Sequence, residues 1–174
     1  MRINYLVLLI GIVLLSCNGC KEKKQYSPTE AVSVEDQLIQ ANRNRLQEEQ
    51  NEILAYIVEM KWDMLQTSTG LHYEIYEEGS GKFCEDGRVA VMDYSSALLD
   101  GTACYSSEVD GQKIFRVGLS EAESGLHELA PLLRKGDKVR VILPSHRAYG
   151  FTGDRVRIPP NSILVYDIQL VDVQ

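Results

Sequence analysis

Tyr149, Tyr166 and the Ile158-Pro159-Pro160 turn between them are the residues whose types and spacing best suit a built site. A tyrosine on an apolar face does one of two things: it fills a core with its hydroxyl satisfied, or it lines a pocket and keeps that hydroxyl available as a donor. From residue 163 the sequence alternates, with Leu164, Tyr166, Ile168 and Leu170 on one face and Asp167, Gln169 and Val171 on the other. Tyr166 therefore faces a core or a pocket. Pro159-Pro160 fixes two φ angles and removes two backbone donors, which holds Ile158 extended at a rigid entry to that strand. Tyr149 sits on a loop leaving a second alternating segment, Lys138 to Leu143, which stops at Pro144.

Other chemistries lack their residues. No glycine-rich phosphate loop is present, and His72, His127 and His146 have no metal-ligand spacing among themselves or with the cysteines, so neither a metal nor a cofactor is expected. The formal net charge is −7, and removing residues 1–16, whose one charge is Arg2, leaves 17 basic against 25 acidic side chains, or −8. That balance argues against nucleic acid as a partner.

The elements that must position these residues fill one domain behind a tail. Residues 1–16 read as a signal peptide, with Arg2 as basic head and an apolar run from Leu6 to Leu15 that is too short to span a bilayer. The run ends in Leu14-Leu15-Ser16-Cys17, which is similar to the bacterial lipobox; Cys17 is the expected lipidated N-terminus, with an ordinary cleaved signal as the alternative. Lipid there would hold the protein on a membrane of the cell envelope without a transmembrane helix, on either membrane and either face. Residues 17–32 read as a flexible tether.

Ser33, three residues before Asp36, opens a helical segment assigned to 33–66. Its apolar positions are sparse in the first half and dense around Ile53, Leu54, Ile57 and Val58, so the first half reads as solvated and the second as docked. Asn42 to Asn44 marks a kink or a break. The segment is either an arm for a homodimer, or a helix packed on its own domain or a spacer. From 67 to 174 the chain is β-rich, with strands near 71–75, 88–99, 104–106, 114–117, 138–143 and from 163, a hairpin at Asp100-Gly101, and one helix from Ser120 to Leu133. One helix against an antiparallel sheet is an α+β layout. Cys84 and Cys104 either pair or stay free, since export permits disulfides.

From about Gly70 to Val173 the sequence resembles the FKBP-type peptidyl-prolyl isomerases. The matching pieces, in order, are Gly79-Ser80-Gly81, Met92-Asp93-Tyr94, Leu99-Asp100-Gly101 with Ser106-Ser107, Phe115-Arg116-Val117-Gly118, Gly125-Leu126, the run from Leu133 to Lys138, Ala148-Tyr149-Gly150 and the run from Ile158 to Ile168. The resemblance implies a curved antiparallel sheet wrapped around one short helix, with an apolar, aromatic-lined pocket that rotates X-Pro bonds. It implies Tyr94, Tyr149 and Tyr166 as catalytic positions and Cys104, Tyr105, Phe115, Glu123, Leu126 and Ile158 as substrate-binding ones. Leu126 would form the floor, Tyr149 would donate its hydroxyl to a substrate carbonyl, and the backbone N–H of Glu123 would bind a second carbonyl. Partners would be proline-containing polypeptides of the cell envelope.

Several positions depart from the family pattern. Cys104-Tyr105 stands where a Phe-Asp pair precedes the two serines, Lys113 replaces an aromatic residue, Ala122-Glu123 replaces an aliphatic pair at the pocket edge, and Arg157 adds charge beside it. These departures leave three expectations open: a lipid-anchored isomerase assisting the folding of exported proteins, a catalytically weak or silent binding or chaperone lipoprotein using the same pocket, and an accessory lipoprotein that binds through its helix.

Overall fold

The structure, a computed structural model, describes residues 28–119 and 122–174, with side chains from residue 33. The expected signal peptide, Cys17 and the tether up to residue 27 lie outside the described residues. The chain divides into two units, residues 1–41 and 42–174.

The first helix, α1, spans Pro28–Met60. Residues 28–32, expected as tether, are helical, and the sequence Ser27-Pro28-Thr29-Glu30 has the order of cap, proline and acid that starts a helix. The helix also continues through Asn42 to Asn44, because the modest propensity cost of asparagine is outweighed by the Gln, Glu, Leu and Arg around it. At its end, Lys61 takes a positive φ of 56°. The Trp62 N–H reaches back to the Ile57 carbonyl and the Lys61 N–H to that of Val58, so the last carbonyls are satisfied without a glycine.

Within the first unit Val34, Leu38 and Ile39 are exposed. Within the second, the remaining part of α1 is docked as its apolar density predicts: Ile53 is fully buried with Ile142 and Ile163, and Tyr56, Ile57 and Trp62 pack around them. Ile142 points away from the main core, which is why it is buried although it breaks the alternation of its strand.

Seven strands form one antiparallel sheet: β1 Leu65–Gln66, β2 His72–Glu77, β3 Val89–Leu98, β4 Ala103–Ser106, β5 Lys113–Arg116, β6 Lys138–Leu143 and β7 Leu164–Val173. Their order is β1-β2-β6-β7-β3-β4, with β5 pairing the first half of β3. The register shifts at Val91/Met92 and Ser96/Ala97 on β3, irregularities of the kind that add twist and let one long strand serve two partners on the same edge. The alternation of β7 holds: Leu164, Tyr166, Ile168 and Leu170 are buried, while Asp167 and Gln169 are exposed.

The helix expected over Ser120 to Leu133 is shorter. A one-turn helix, α2, covers Ser107–Asp110, and the core helix α3 covers Ser124–Leu129 before tightening into a 3-10 turn at Ala130–Leu132. Pro131 is the cause, since it has no N–H to donate and its ring meets the carbonyl four residues back. Gly125 lets α3 sit close to the sheet: a Cβ there would lie 2.5 Å from a Leu143 methyl and 3.2 Å from the Arg147 carbonyl. Two glycine-bearing pieces of the sequence pattern meet at Asp137, whose buried carboxylate accepts the N–H of Gly79 at 2.6 Å and of Arg134 at 2.7 Å. Cys84 and Cys104 are both buried and free. No helix among the described residues is long and apolar enough to cross a membrane.

Candidate active site

All the expected site residues except Glu123 belong to, or pack against, the main core that α3 shares with the sheet. Tyr166 comes from β7 and Tyr94 from β3, two strands in direct register, and their rings lie 6.0 Å apart between centroids at a tilt of 41°. Leu126, from α3, is fully buried in the same core as both rings, and Ile158, Phe115 and Cys104 are buried there too. Phe115 sits edge-on to the His127 ring at 5.1 Å, which fixes it as a wall of the core. Tyr149 and Tyr105 are partly buried against the same cluster. A cavity of about 430 Å³ opens beside them, lined by Lys113, Ala122, Glu123, Ala148 and Tyr149.

The pocket is not apolar. Glu123, expected at the edge through its backbone, turns its side chain inward at the start of α3 and is only 6% exposed. Its carboxylate takes both oxygens to the Lys113 ammonium, at 2.6 and 2.7 Å, and accepts the Tyr166 hydroxyl at 2.7 Å. The Tyr149 hydroxyl lies near enough to the same carboxylate to influence its ionisation. Two departures, one from an aromatic position and one from an aliphatic position, are therefore one ion pair, and burial is tolerated because the two charges are paired and hydrogen-bonded.

The titration behaviour follows. Burial alone would raise the Glu123 carboxyl, but the adjacent Lys113 charge, the hydrogen bonds from Lys113 and Tyr166 and the nearby Tyr149 hydroxyl hold it below the ordinary glutamate value. Burial, followed by the neighbouring Glu123 charge, pushes Tyr166 well above the ordinary tyrosine value. Tyr149 is raised for the same reasons, burial first and the nearby Glu123 carboxylate second. All three groups keep one protonation state across physiological pH, so the site offers hydroxyl donors and no general base near neutrality.

The rim carries a second polar set. The Tyr105 hydroxyl donates to Asp154, whose other oxygen accepts the N–H groups of Val156, Arg157 and Ile158 at 2.8, 3.0 and 2.7 Å. Burial alone would raise Asp154, yet the Tyr105 hydroxyl and these N–H groups hold it at about 2. The same bond is the main cause that pushes Tyr105 up to about 12. Arg157 lies over the Tyr105 ring at 4.5 Å and donates to Asp110 and to the Cys104 carbonyl. The Tyr105 hydroxyl is thus tied to the loop that holds Ile158. Gly153 makes that loop: its φ is +61° and an added Cβ would sit 2.1 Å from the Ile158 carbonyl.

The loop also rests on α1. Ser145, 1% exposed, donates its N–H and hydroxyl to the buried Glu49 carboxylate at 3.0 and 2.6 Å, and Arg45 reaches Asn161 at 2.7 Å while covering the Phe151 ring. Glu49, Lys113, Asp110 and Asp154 were not singled out from sequence as parts of one assembly. The opposite charges of Lys113 and Glu123 were the available signal, since both fall on positions expected to be apolar.

Comparison with known proteins matches this architecture. The profile of the FKBP-type peptidyl-prolyl cis-trans isomerase family fits residues 80–171, more than half of the chain. The chain is 34% identical over 137 residues to the FKBP-type peptidyl-prolyl cis-trans isomerase FkpA of Buchnera aphidicola subsp. Baizongia pistaciae, covering 78% of this chain and 52% of that protein. It is 37% identical over 109 residues to FkpA of Escherichia coli strain K12, covering 62% and 39% respectively. The chain thus spans about half or less of the length of these curated relatives. The crystal structure of FkpA from Escherichia coli superposes with a TM-score of 0.63 at 30% identity, over 84% of this chain and 68% of that one. AtFKBP13 superposes with a TM-score of 0.60 at 25% identity, over 64% and 99%. With its antiparallel sheet and short core helix, this chain belongs to the FKBP-type peptidyl-prolyl cis-trans isomerase family.

Proposed function

We propose that this protein is a peptidyl-prolyl cis-trans isomerase that rotates X-Pro bonds in polypeptides of the cell envelope, held at a membrane by lipid on Cys17. The observation that carries the isomerase reading is the neighbouring pair of tyrosines, Tyr94 and Tyr166, in one core with Leu126, beside a cavity lined by Tyr149. Rotation of an X-Pro bond breaks no covalent bond. It crosses an amide-resonance barrier of ~18–20 kcal/mol. Removing the amide from water strips the carbonyl of hydrogen bonds that favour the resonance form, and a cavity that fits the twisted amide better than either planar isomer lowers the barrier by differential binding. In this scheme the prolyl ring enters the cavity lined by Lys113, Glu123 and Tyr149 and packs toward Tyr94 and Tyr166, Tyr149 donates to the carbonyl before the proline, and the Glu123 N–H takes a second carbonyl. Cys104, Tyr105, Phe115 and Ile158 shape the wall. The exposed Val34, Leu38 and Ile39 support the helix as a homodimerisation arm.

A second reading, a binding or chaperone module with weak or no turnover, is favoured by one observation: the cavity beside Tyr149 is already lined by the Lys113–Glu123 ion pair. A cis-to-trans assay on Xaa-Pro peptides separates the two. The parent should accelerate isomerisation, Tyr149→Phe should lower kcat/KM, and Tyr166→Ala should lower it further; a parent that never exceeds the uncatalysed rate supports the second reading. For the anchor, Cys17→Ser should leave the membrane fraction, and retention there would count against lipidation.

A further inference from the structure

We infer that the buried Glu123 carboxylate makes this pocket selective for client segments that carry a lysine or arginine beside the proline, with Lys113 supplying that cation in the resting state. The inference rests on the isomerase reading above. Its starting point is where the Lys113 ammonium lies: 5.4 Å from the centroid of the Tyr94 ring and 5.7 Å from that of Tyr166, with the two rings 6.0 Å apart. Both distances are within the range of cation–π attraction. The two rings and the carboxylate make an ammonium cage, and its Lys113 and Glu123 line the cavity that the scheme above gives to the prolyl ring.

A ring entering that space displaces the ammonium. Lys113 can swing into solvent, because its side chain is 20% exposed and hangs on a flexible four-carbon stem from β5. Glu123 cannot follow. Its side chain is 3% exposed, its backbone is fixed at the start of α3, and the Tyr166 hydroxyl holds one oxygen from within the core. Once Lys113 has swung out, a buried carboxylate is left with hydroxyl donors alone, the arrangement that is most costly in a low-dielectric interior. A neutral segment such as Leu-Pro bears that cost in full. A segment with a basic side chain next to the proline replaces the lost cation and recovers it.

No other nearby charge takes over. Arg157 is committed to Asp110, the Cys104 carbonyl and the Tyr105 ring, and Asp154 to Tyr105 and three backbone N–H groups. An acidic client gains nothing comparable, since the displaced Lys113 ammonium reaches water. Glu123 is therefore the specificity-determining group, and Lys113 the internal competitor.

The test compares Leu-Pro, Lys-Pro, Arg-Pro and Glu-Pro peptides on the full chain, reading kcat/KM in the cis-to-trans assay and affinity by calorimetry at about 0.15 M salt. The parent should favour Lys-Pro and Arg-Pro over Leu-Pro by about tenfold or more, the scale expected for compensating a buried charge. The double variant Lys113→Met/Glu123→Gln keeps the net charge of the parent. It should lose that preference and gain on Leu-Pro. A preference for Leu-Pro in the parent, or a basic preference that survives in the double variant, overturns the inference while leaving isomerase activity intact. Basic-selective binding with no turnover of any peptide sustains it and defeats the isomerase reading; absence of both binding and turnover defeats both. A measurement on the unmodified protein stands beside these: n-butylammonium should compete for the pocket and n-butanol should not, and equal competition by the two would overturn the cage.

Discussion

Removing the Glu49 carboxylate should loosen the loop that carries Tyr149, although the two residues lie a hundred positions apart in sequence. Glu49 is 7% exposed and accepts the N–H and hydroxyl of Ser145, which is 1% exposed, at 3.0 and 2.6 Å. In Glu49→Ala both bonds vanish and the Ser145 N–H is left buried without a partner. Bonds to a charged acceptor and an unsatisfied buried donor each count for about 1.5–3 kcal/mol, and relief of the carboxylate's own desolvation offsets part, so a net loss of about 2–3 kcal/mol is expected. For a folded unit of this size that is a fall in Tm of roughly 6–12 °C. Ser145→Ala removes only the hydroxyl bond and should lose about 1 kcal/mol. Thermal and urea unfolding of the two single variants and the double variant close the cycle, and because the hydroxyl bond can be lost only once, the coupling should be about 1 kcal/mol. Additive single effects, or a Glu49→Ala loss below about 0.5 kcal/mol, would refute the reasoning and reduce the contact to a surface pair. With the reasoning intact, kcat/KM on Xaa-Pro peptides should fall in Glu49→Ala at temperatures where the variant is still fully folded, because Ser145 stands four residues before Tyr149.

Gly153→Ala should destabilise by about 2 kcal/mol or more, since a positive φ and a Cβ 2.1 Å from the Ile158 carbonyl both oppose it; a chemical melt unchanged from the parent would mean the loop has another conformation. Leu126→Ala should lose about 3 kcal/mol from its fully buried site and weaken peptide binding, read by urea unfolding and calorimetry. Asp154, held at about 2 in the fold, contributes stability that is full above the ordinary aspartate range and is lost as pH falls from about 4 toward 2. Acid unfolding should therefore show a step in that window that shrinks in Tyr105→Phe, and an identical acid profile in parent and variant would contradict the assignment.

Much of this architecture is legible in the sequence because it depends on local rules. The period-two pattern of Leu164 to Leu170, the Asp100-Gly101 turn and the stop at Pro144 each act within a few residues, and all three appear where expected. The convergence of Tyr94, Leu126, Ile158 and Tyr166 in one core was legible for a different reason, the ordered match to a family pattern. What remained hidden is long-range polar pairing. The bonds between Lys113 and Glu123, Tyr105 and Asp154, and Glu49 and Ser145 join residues separated by loops or whole strands, and no periodicity encodes which carboxylate meets which donor. Read one at a time, such residues look like losses from an apolar wall; in pairs they are substitutions of one kind of wall for another. The overlong helix expected at Ser120 to Leu133 had a simpler cause: the leucine spacing was followed past Pro131, where the missing donor ends the α pattern.

The two buried thiols give the molecule an internal clock. Cys84 is fully enclosed and Cys104 is 4% exposed, and burial raises both above the ordinary thiol value, so in the folded state neither presents the thiolate that alkylating reagents attack. Labelling at these positions then proceeds only through opening of the structure. Cys104 times the opening of the short strand β4, while Cys84, bonded through its N–H to the Leu133 carbonyl, times the opening of the core where that bond is made. Site-resolved alkylation would therefore separate local fluctuations of β4 from opening elsewhere in the core, using only atoms the chain already carries.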